Sequence, residues 1–343
     1  MYIIDSSTVN PLGNSLAMTH SAVECQISAL GETPFFNELN HPMKGAVVPE
    51  DSLLPPPEGL STFSGRFRRM MRLALSGIEP LKPKLEQAKN IPLLLAGPER
   101  LPLASGIGTA IGPDFFQALV QYSELDVDTR HCRYIASGRS GGLELLEFAK
   151  EYFNKKLGDV LLIGAIDSYL DAATMNLLSA DMRVMAANRK AGFFPGEAAV
   201  FLLVTSNQAK ASMRATINGP AVANEDGHLY SEKPCLGSGL ASVCSKLFSS
   251  SVLPPISQLW TTANGEQFST KEIGIALIRH INHFESHYNH LHPADCYGDC
   301  GAASGLLLAG LAAQKAENEA NPGAALVLAA SDLGSRAGIT IDW

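Results

Sequence analysis

Apolar residues along this chain gather in short continuous blocks that alternate with stretches of helical spacing. Continuous blocks of four to nine residues fit strands buried on both faces, and apolar positions recurring every three or four residues fit helices packed on one side. On this basis Tyr2-Ile3-Ile4 opens a strand, Asp5–Asn14 is a polar turn carrying Pro11-Leu12-Gly13, and Ser15–Leu30 reads as a helix. From residue 31 to residue 65 the chain is rich in Pro and Gly, stiffest at Pro55-Pro56-Pro57, and predicts a long irregular surface excursion. A helix over Arg66–Ile78 then leads into a buried strand at Pro92–Ala96.

The order becomes regular after that. Strands are predicted at Tyr134-Ile135-Ala136, Asp159–Ala165, Glu197–Thr205, Ala215–Ala223, Ile256–Thr261 and Ala324–Ala330. Between them, helices are predicted at Gly141–Phe153, Ser238–Phe248, Thr270–Asn282 and Gly301–Ala313. Such alternation indicates α/β layers with helices on both faces of the sheets. A polar break at Ser206–Ala211 divides the chain into halves of residues 1–205 and 206–343.

Composition narrows the functional classes. Of 343 residues, 46% are hydrophobic and only 17% charged, too apolar for a disordered chain and enough for a large core. The net charge of -8 argues against a nucleic-acid or anionic-membrane partner. Its one basic cluster, Arg66, Arg68, Arg69 and Arg72, reads as a solvated helix face. Six cysteines without metal-ligand pairing, and no basic-then-apolar leader at Met1–Asn10, predict a cytoplasmic protein. Val160–Ile166 and Gly301–Ala313 fall short of the roughly 18 residues a membrane span needs, so none is expected. Ser105-Gly106-Ile107-Gly108 and Gly138–Gly142 lack the context of a phosphate-binding loop, and nucleotide binding is not expected. His280, His283, His287 and His290 are spaced by three, four and three; on a continuing helix they would share a face, with His283 and His287 as a weak candidate metal pair. A polar solvated face accounts for the same spacing.

The segment from Tyr134 to Ser168, YIASGRSGGLELLEFAKEYFNKKLGDVLLIGAIDS, resembles the nucleophile region of the thiolase superfamily, and of the β-ketoacyl synthases in particular. Pro195–Val200 is similar to the family's GEGAG strand. Ala263-Asn264-Gly265-Glu266, with Lys271-Glu272 beyond it, resembles its AHGT segment, and Tyr297–Ser304 its YGNTSAAS-type segment. The resemblance implies a thiolase-like five-layered αβαβα fold of two related halves, no cofactor, and a homodimer or a heterodimer with an active ketosynthase, with acyl carrier protein as a further partner.

Where the family carries its catalytic cysteine, this register places Arg139; Asn264 falls on the family's histidine, and Asp299 on its second histidine or asparagine. Condensation needs an acylatable thiolate and donors for a carbonyl oxygen. A guanidinium is permanently charged and no nucleophile. Ser140, one residue on, has no histidine aligned beside it as a base and suits a helix cap. Opposite charges at Arg139 and Asp299 suggest an ion pair filling the pocket, bridged by Asn264; the competing reading leaves Arg139 free to grip a carboxylate or phosphate. Cys300 and Cys296 sit beside or near a carboxylate, which favours the neutral thiol and an inert role. Ser331–Ser335 stands where ketosynthases carry a Gly-Phe-Gly-Gly-type loop. The sequence therefore predicts a catalytically degenerate ketosynthase-like protein, a non-catalytic partner of the chain-length-factor kind or a scaffold. The alternative is an acyltransferase of the 3-oxoacyl-carrier-protein synthase type, using Ser140 or an unaligned cysteine on acyl-carrier-protein or acyl-coenzyme A substrates.

Overall fold

The computed structural model of the chain describes residues 1–102, 111–250 and 253–343; the Ser105–Gly108 pattern lies outside them. Twelve strands are described: β1 Tyr2–Val9, β2 Leu30–Phe36, β3 Pro42–Ala46, β4 Leu93–Ala96, β5 Arg133–Ile135, β6 Val160–Ser168, β7 Glu197–Thr205, β8 Thr216–Asn224, β9 Ile256–Thr261, β10 Phe284–Leu291, β11 Ala324–Ala330 and β12 Ser335–Asp342. The helices are α1 Leu16–Glu24, α2 Gly65–Ile78, α3 Lys82–Ala88, α4 Pro113–Ser123, α5 Gly141–Asn154, α6 Ala172–Ala180, α7 Ser238–Ser250, α8 Gln267–Ile278, α9 Ala294–Tyr297 and α10 Ala303–Asn318.

Strand order exposes an internal repeat. The strands up to Thr205 lie as β1-β7-β6-β4-β5 and those from Thr216 as β8-β12-β11-β9-β10, so each set of five follows the same path through its sheet. The directions match too: β1–β7 and β7–β6 are antiparallel while β6–β4 and β4–β5 are parallel, and the second set repeats this strand for strand. The two sets meet at the single pair Tyr2–Thr216.

The apolar strands are covered on both faces, as their sequences require. Helices α5 and α10 pack against strands of both sets, forming a central layer; α2 covers β6 and β7 from outside, with α4 against it, and α7, with α8 against it, covers β8 and β12. This is the αβαβα arrangement. Leu143, Leu146, Leu306, Leu307 and Trp260 belong to the core between the sheets, whereas Met70, Phe115 and Phe201 fill the outer core of the first set and Leu240, Val243 and Leu259 that of the second. The central helices cross closely because neither carries bulk at the crossing: a Cβ on Gly142 would lie 2.6 Å from Leu306 Cβ, and one on Gly305 would lie 2.4 Å from the Arg139 carbonyl oxygen. Twelve residues of α10, nearly all Ala, Gly or Leu, are buried, which accounts for the small-residue run that begins at Gly301.

Several expectations change. The first strand continues through the supposed turn to Val9, pairing with β7. The excursion over 31–65 is not irregular throughout, since β2 and β3 pair as an antiparallel hairpin within it. Helix α8 ends at Ile278, and Phe284–Leu291 is not a helix face but the edge strand β10, parallel to β9. A polar edge strand exposed on both faces lacks the alternation by which strands are recognised. The basic cluster is only in part a solvated face: Arg68 is exposed, but Arg66 is buried against Asp167 at 2.7 Å and Arg69 pairs with buried Glu197 at 2.6 Å. Among the described residues no helix is long and apolar enough to cross a membrane.

Candidate functional site

Loops at the ends of β4, β5, β6, β9 and β11, with the turn before α10, converge at one end of the central helix layer. The turn Gly138–Ser140 precedes α5, with Gly138 at φ +64°, a conformation that side chains resist. It places Arg139, 3% exposed, at the start of α5. A cation at a helix N-terminus opposes the partial positive charge there, so the arrangement needs anions close by.

Those anions are present. Asp299 accepts from Arg139 Nε at 2.8 Å and from Arg139 Nη2, while Asp332, in the turn between β11 and β12, accepts from Nη1 at 2.5 Å. Asn264, after β9, donates through Nδ2 to Asp299 at 2.9 Å and to Glu266 at 3.0 Å. Arg183, following α6, forks onto Glu266 at 2.8 and 2.7 Å and reaches Asp332 at 2.7 Å. Glu99, beyond β4, accepts the backbone N–H groups of Asp332 and Leu333 at 2.8 and 3.0 Å. The predicted trio Arg139, Asn264 and Asp299 is thus brought together, and the free-guanidinium reading of Arg139 is replaced by one in which every guanidinium nitrogen is engaged. Sequence reasoning missed Arg183, Glu99 and Glu266 as members, and flagged Asp332 only as part of an altered loop.

The start of α10 is closed by two carboxylates. Gly301 N–H donates to Asp299 at 2.9 Å and Ala302 N–H to Asp167 at 2.9 Å, placing negative charge where a helix N-terminus favours it. One aspartate therefore caps α10 and neutralises the cation at α5.

Electrostatics follow from this burial. Desolvation opposes the charge on Arg139, but Asp299 and Asp332 outweigh it and hold its pKa well above the ordinary value. Burial would raise Asp332, yet Arg139 and Arg183 keep its carboxyl well below the usual carboxylate range. Glu99 goes the other way: burial, then the charge of Asp332, push it up to about 7 despite Arg139. Cys300 is fully buried and its thiol is raised far above its normal value, chiefly by desolvation and then by Asp299. Cys296 is also raised, by burial and then Asp295.

Ser140 Oγ is fully buried in a polar knot, 2.6 Å from Glu144 and 2.9 Å from the hydroxyls of Ser331 and Ser335. Its own N–H donates to Ser331 Oγ at 3.0 Å. The cavity bordered by Arg139, Asn264, Glu266 and Asp332 measures about 20 Å³, room for a single water molecule. The histidine pair is not assembled: His283 stacks flat on Phe248 at 4.1 Å, in a 3₁₀ turn, while His287 lies exposed on β10. Helical spacing does not apply on a strand, so His283 and His287 do not share the helix face that the pairing requires.

The fold is shared with ketosynthases. The ketosynthase from module 6 of the bacillaene synthase of Bacillus subtilis 168 superposes with a TM-score of 0.78 at 14% identity, covering 99% of this chain and 71% of that one. The ishigamide ketosynthase/chain length factor gives 0.68 at 16% identity, covering 99% and 98%. A type II polyketide synthase acyl-carrier protein in complex with its ketosynthase bound to the hexaketide, AntDE:AntF, gives 0.74 at 15% identity, with 99% and 98% covered. No family model and no curated protein matches the chain. The chain has the thiolase-like ketosynthase fold.

Proposed function

We propose that this chain is a catalytically silent ketosynthase-fold protein that acts beside an active ketosynthase, in the manner of a chain-length factor, or as a scaffold of the same assembly. The observation that carries the reading is the Arg139 ion-pair network. At the start of α5, where the sequence resemblance puts the nucleophile, a buried guanidinium is locked between Asp299 and Asp332, and the adjoining cavity holds about one water. An acyl thioester needs an attacking thiolate and space for its carbonyl; neither is available around these side chains. Ser140 cannot replace it, because its hydroxyl is buried and held by Glu144, Ser331 and Ser335.

The type II neighbours support the partner role, since nearly their whole length is matched. That role would place the chain in polyketide or fatty-acid biosynthesis, with a second ketosynthase-fold chain, its own copy or an active synthase, as the dimer partner and acyl carrier protein as a further one. Intact-protein mass spectrometry after incubation with acyl-coenzyme A and acyl-carrier-protein donors, with peptide mapping, tests the reading. No adduct on folded protein is expected; a stoichiometric acyl group on Ser140 or any cysteine would overturn it.

A further inference from the structure

A second buried polar cluster adjoins the Arg139 ion pairs, since Glu272 borders the same small cavity, and its hydrogen bonding is incomplete. The chain leaves β8 through Glu225, runs around a loop, and returns at Cys235 just before α7. Close packing enforces the return: a Cβ on Gly227 would lie 2.2 Å from the Pro234 carbonyl oxygen, and Gly237, at φ +60°, rests against the Glu272 carbonyl on α8. The result brings one thiol and two carboxylates, from three separate points in the sequence, to within 4.8 Å of one another.

Their hydrogen bonding leaves a gap. Glu225 Oε2 accepts from Gly239 N–H at 2.8 Å, and its Oε1 receives only a long bond of 3.4 Å from Gly227 N–H. Glu272 is fully buried; its Oε1 accepts from Arg336 Nε at 2.6 Å, but among the described residues its Oε2 has no partner, nor does Arg336 Nη2. A buried carboxylate oxygen left unpaired is destabilising, and a bound cation would supply its partner.

We propose that Cys235, Glu225 and Glu272 form a binding site for a divalent cation of the zinc class. A tetrahedral zinc with bonds of about 2.0–2.3 Å holds its ligands roughly 3.3–3.7 Å apart, so the cluster needs only a small closure around the ion. Thiolate favours zinc over magnesium or calcium, and a solvent molecule takes the fourth position. With the ion bound and Cys235 deprotonated by it, the thiolate, two carboxylates and Arg336 sum to two negative charges, which a divalent cation cancels. Cys235 is half-buried beside exposed Leu236, which gives the ion a route from solvent.

The test is cobalt titration of the untagged full chain after chelator treatment. About one equivalent is expected to bind with a thiolate-to-cobalt charge-transfer band, displaced by zinc; Cys235→Ser should abolish the band and weaken binding roughly tenfold or more. No binding, binding without the band, or a band that survives in Cys235→Ser would overturn the site. Independently of any variant, zinc should protect Cys235 of the unaltered chain from iodoacetamide, read by peptide mapping; unchanged labelling would likewise overturn it.

Discussion

Two arginines, Arg139 and Arg336, are almost entirely withdrawn from solvent, and their surroundings differ in one respect. Every guanidinium nitrogen of Arg139 donates to a carboxylate, whereas Arg336 engages Glu272 through Nε and three backbone carbonyls through Nη1 and leaves Nη2 empty. A closed network of charges holds a pocket shut and rigid; an open one keeps valences for something else. The first cluster is closed on itself, whereas the second keeps an open carboxylate oxygen on Glu272, the valence on which the proposed cation site rests.

The largest effect should come from opening the closed cluster. Arg139→Ala leaves Asp299 without a cation and Asp332 with Arg183 alone, and a loss of about 3–5 kcal/mol in urea unfolding is expected. Arg139→Met combined with Asp299→Asn should recover most of that loss, because Asp332 keeps Arg183 and no charge is then left uncompensated. An unchanged melting temperature for Arg139→Ala would break the comparison.

A smaller effect should appear in the pH dependence. In the fold Glu99 keeps its proton up to about pH 7, whereas the unfolded chain releases it near the ordinary glutamate value, about 4.5. The folded state binds more protons in that window, so this group's contribution to stability is full below pH 4.5 and is lost as the pH rises to 7, by at most about 3 kcal/mol. Asp332 runs oppositely, its contribution present above the ordinary aspartate range and lost in acid. Urea midpoints measured across pH 4.5–8 should lose the Glu99 slope in Glu99→Gln; an identical profile in that variant would show that the proton sits elsewhere.

The smallest expected loss sharpens the steric side. Gly305→Ala drives a methyl toward the Arg139 carbonyl where α5 and α10 cross, and should cost about 1–3 kcal/mol by calorimetry without changing the pH profile.

Much of the frame was legible in the chain. Ile256–Thr261, Ala324–Ala330 and Glu197–Thr205 are strands with the bounds their apolar runs indicate, and Gly141–Phe153 differs from α5 by one residue. Strands buried on both faces announce themselves because nothing polar interrupts them. Strand β12 carries no such signal, since Ser335–Asp342 mixes Arg, Gly and Thr into its run, and β10 lies beyond the predicted helix Thr270–Asn282 with no period of its own to mark it as a strand.

Of the candidate site, Arg139, Asn264 and Asp299 could be named because each falls in a segment resembling a known motif. Arg183 and Glu99 could not: they reach Asp332 across 149 and 233 residues of sequence, and nothing local marks a charge as buried. The sequence by itself determined the alternation of elements, the thiolase-like resemblance and the chemical types at three positions, because these are local properties of residue order. Which charges meet, which are sealed from water, and which valences stay empty were decided only when loops from both strand sets converged, since burial and pairing belong to the packed chain rather than to any one segment.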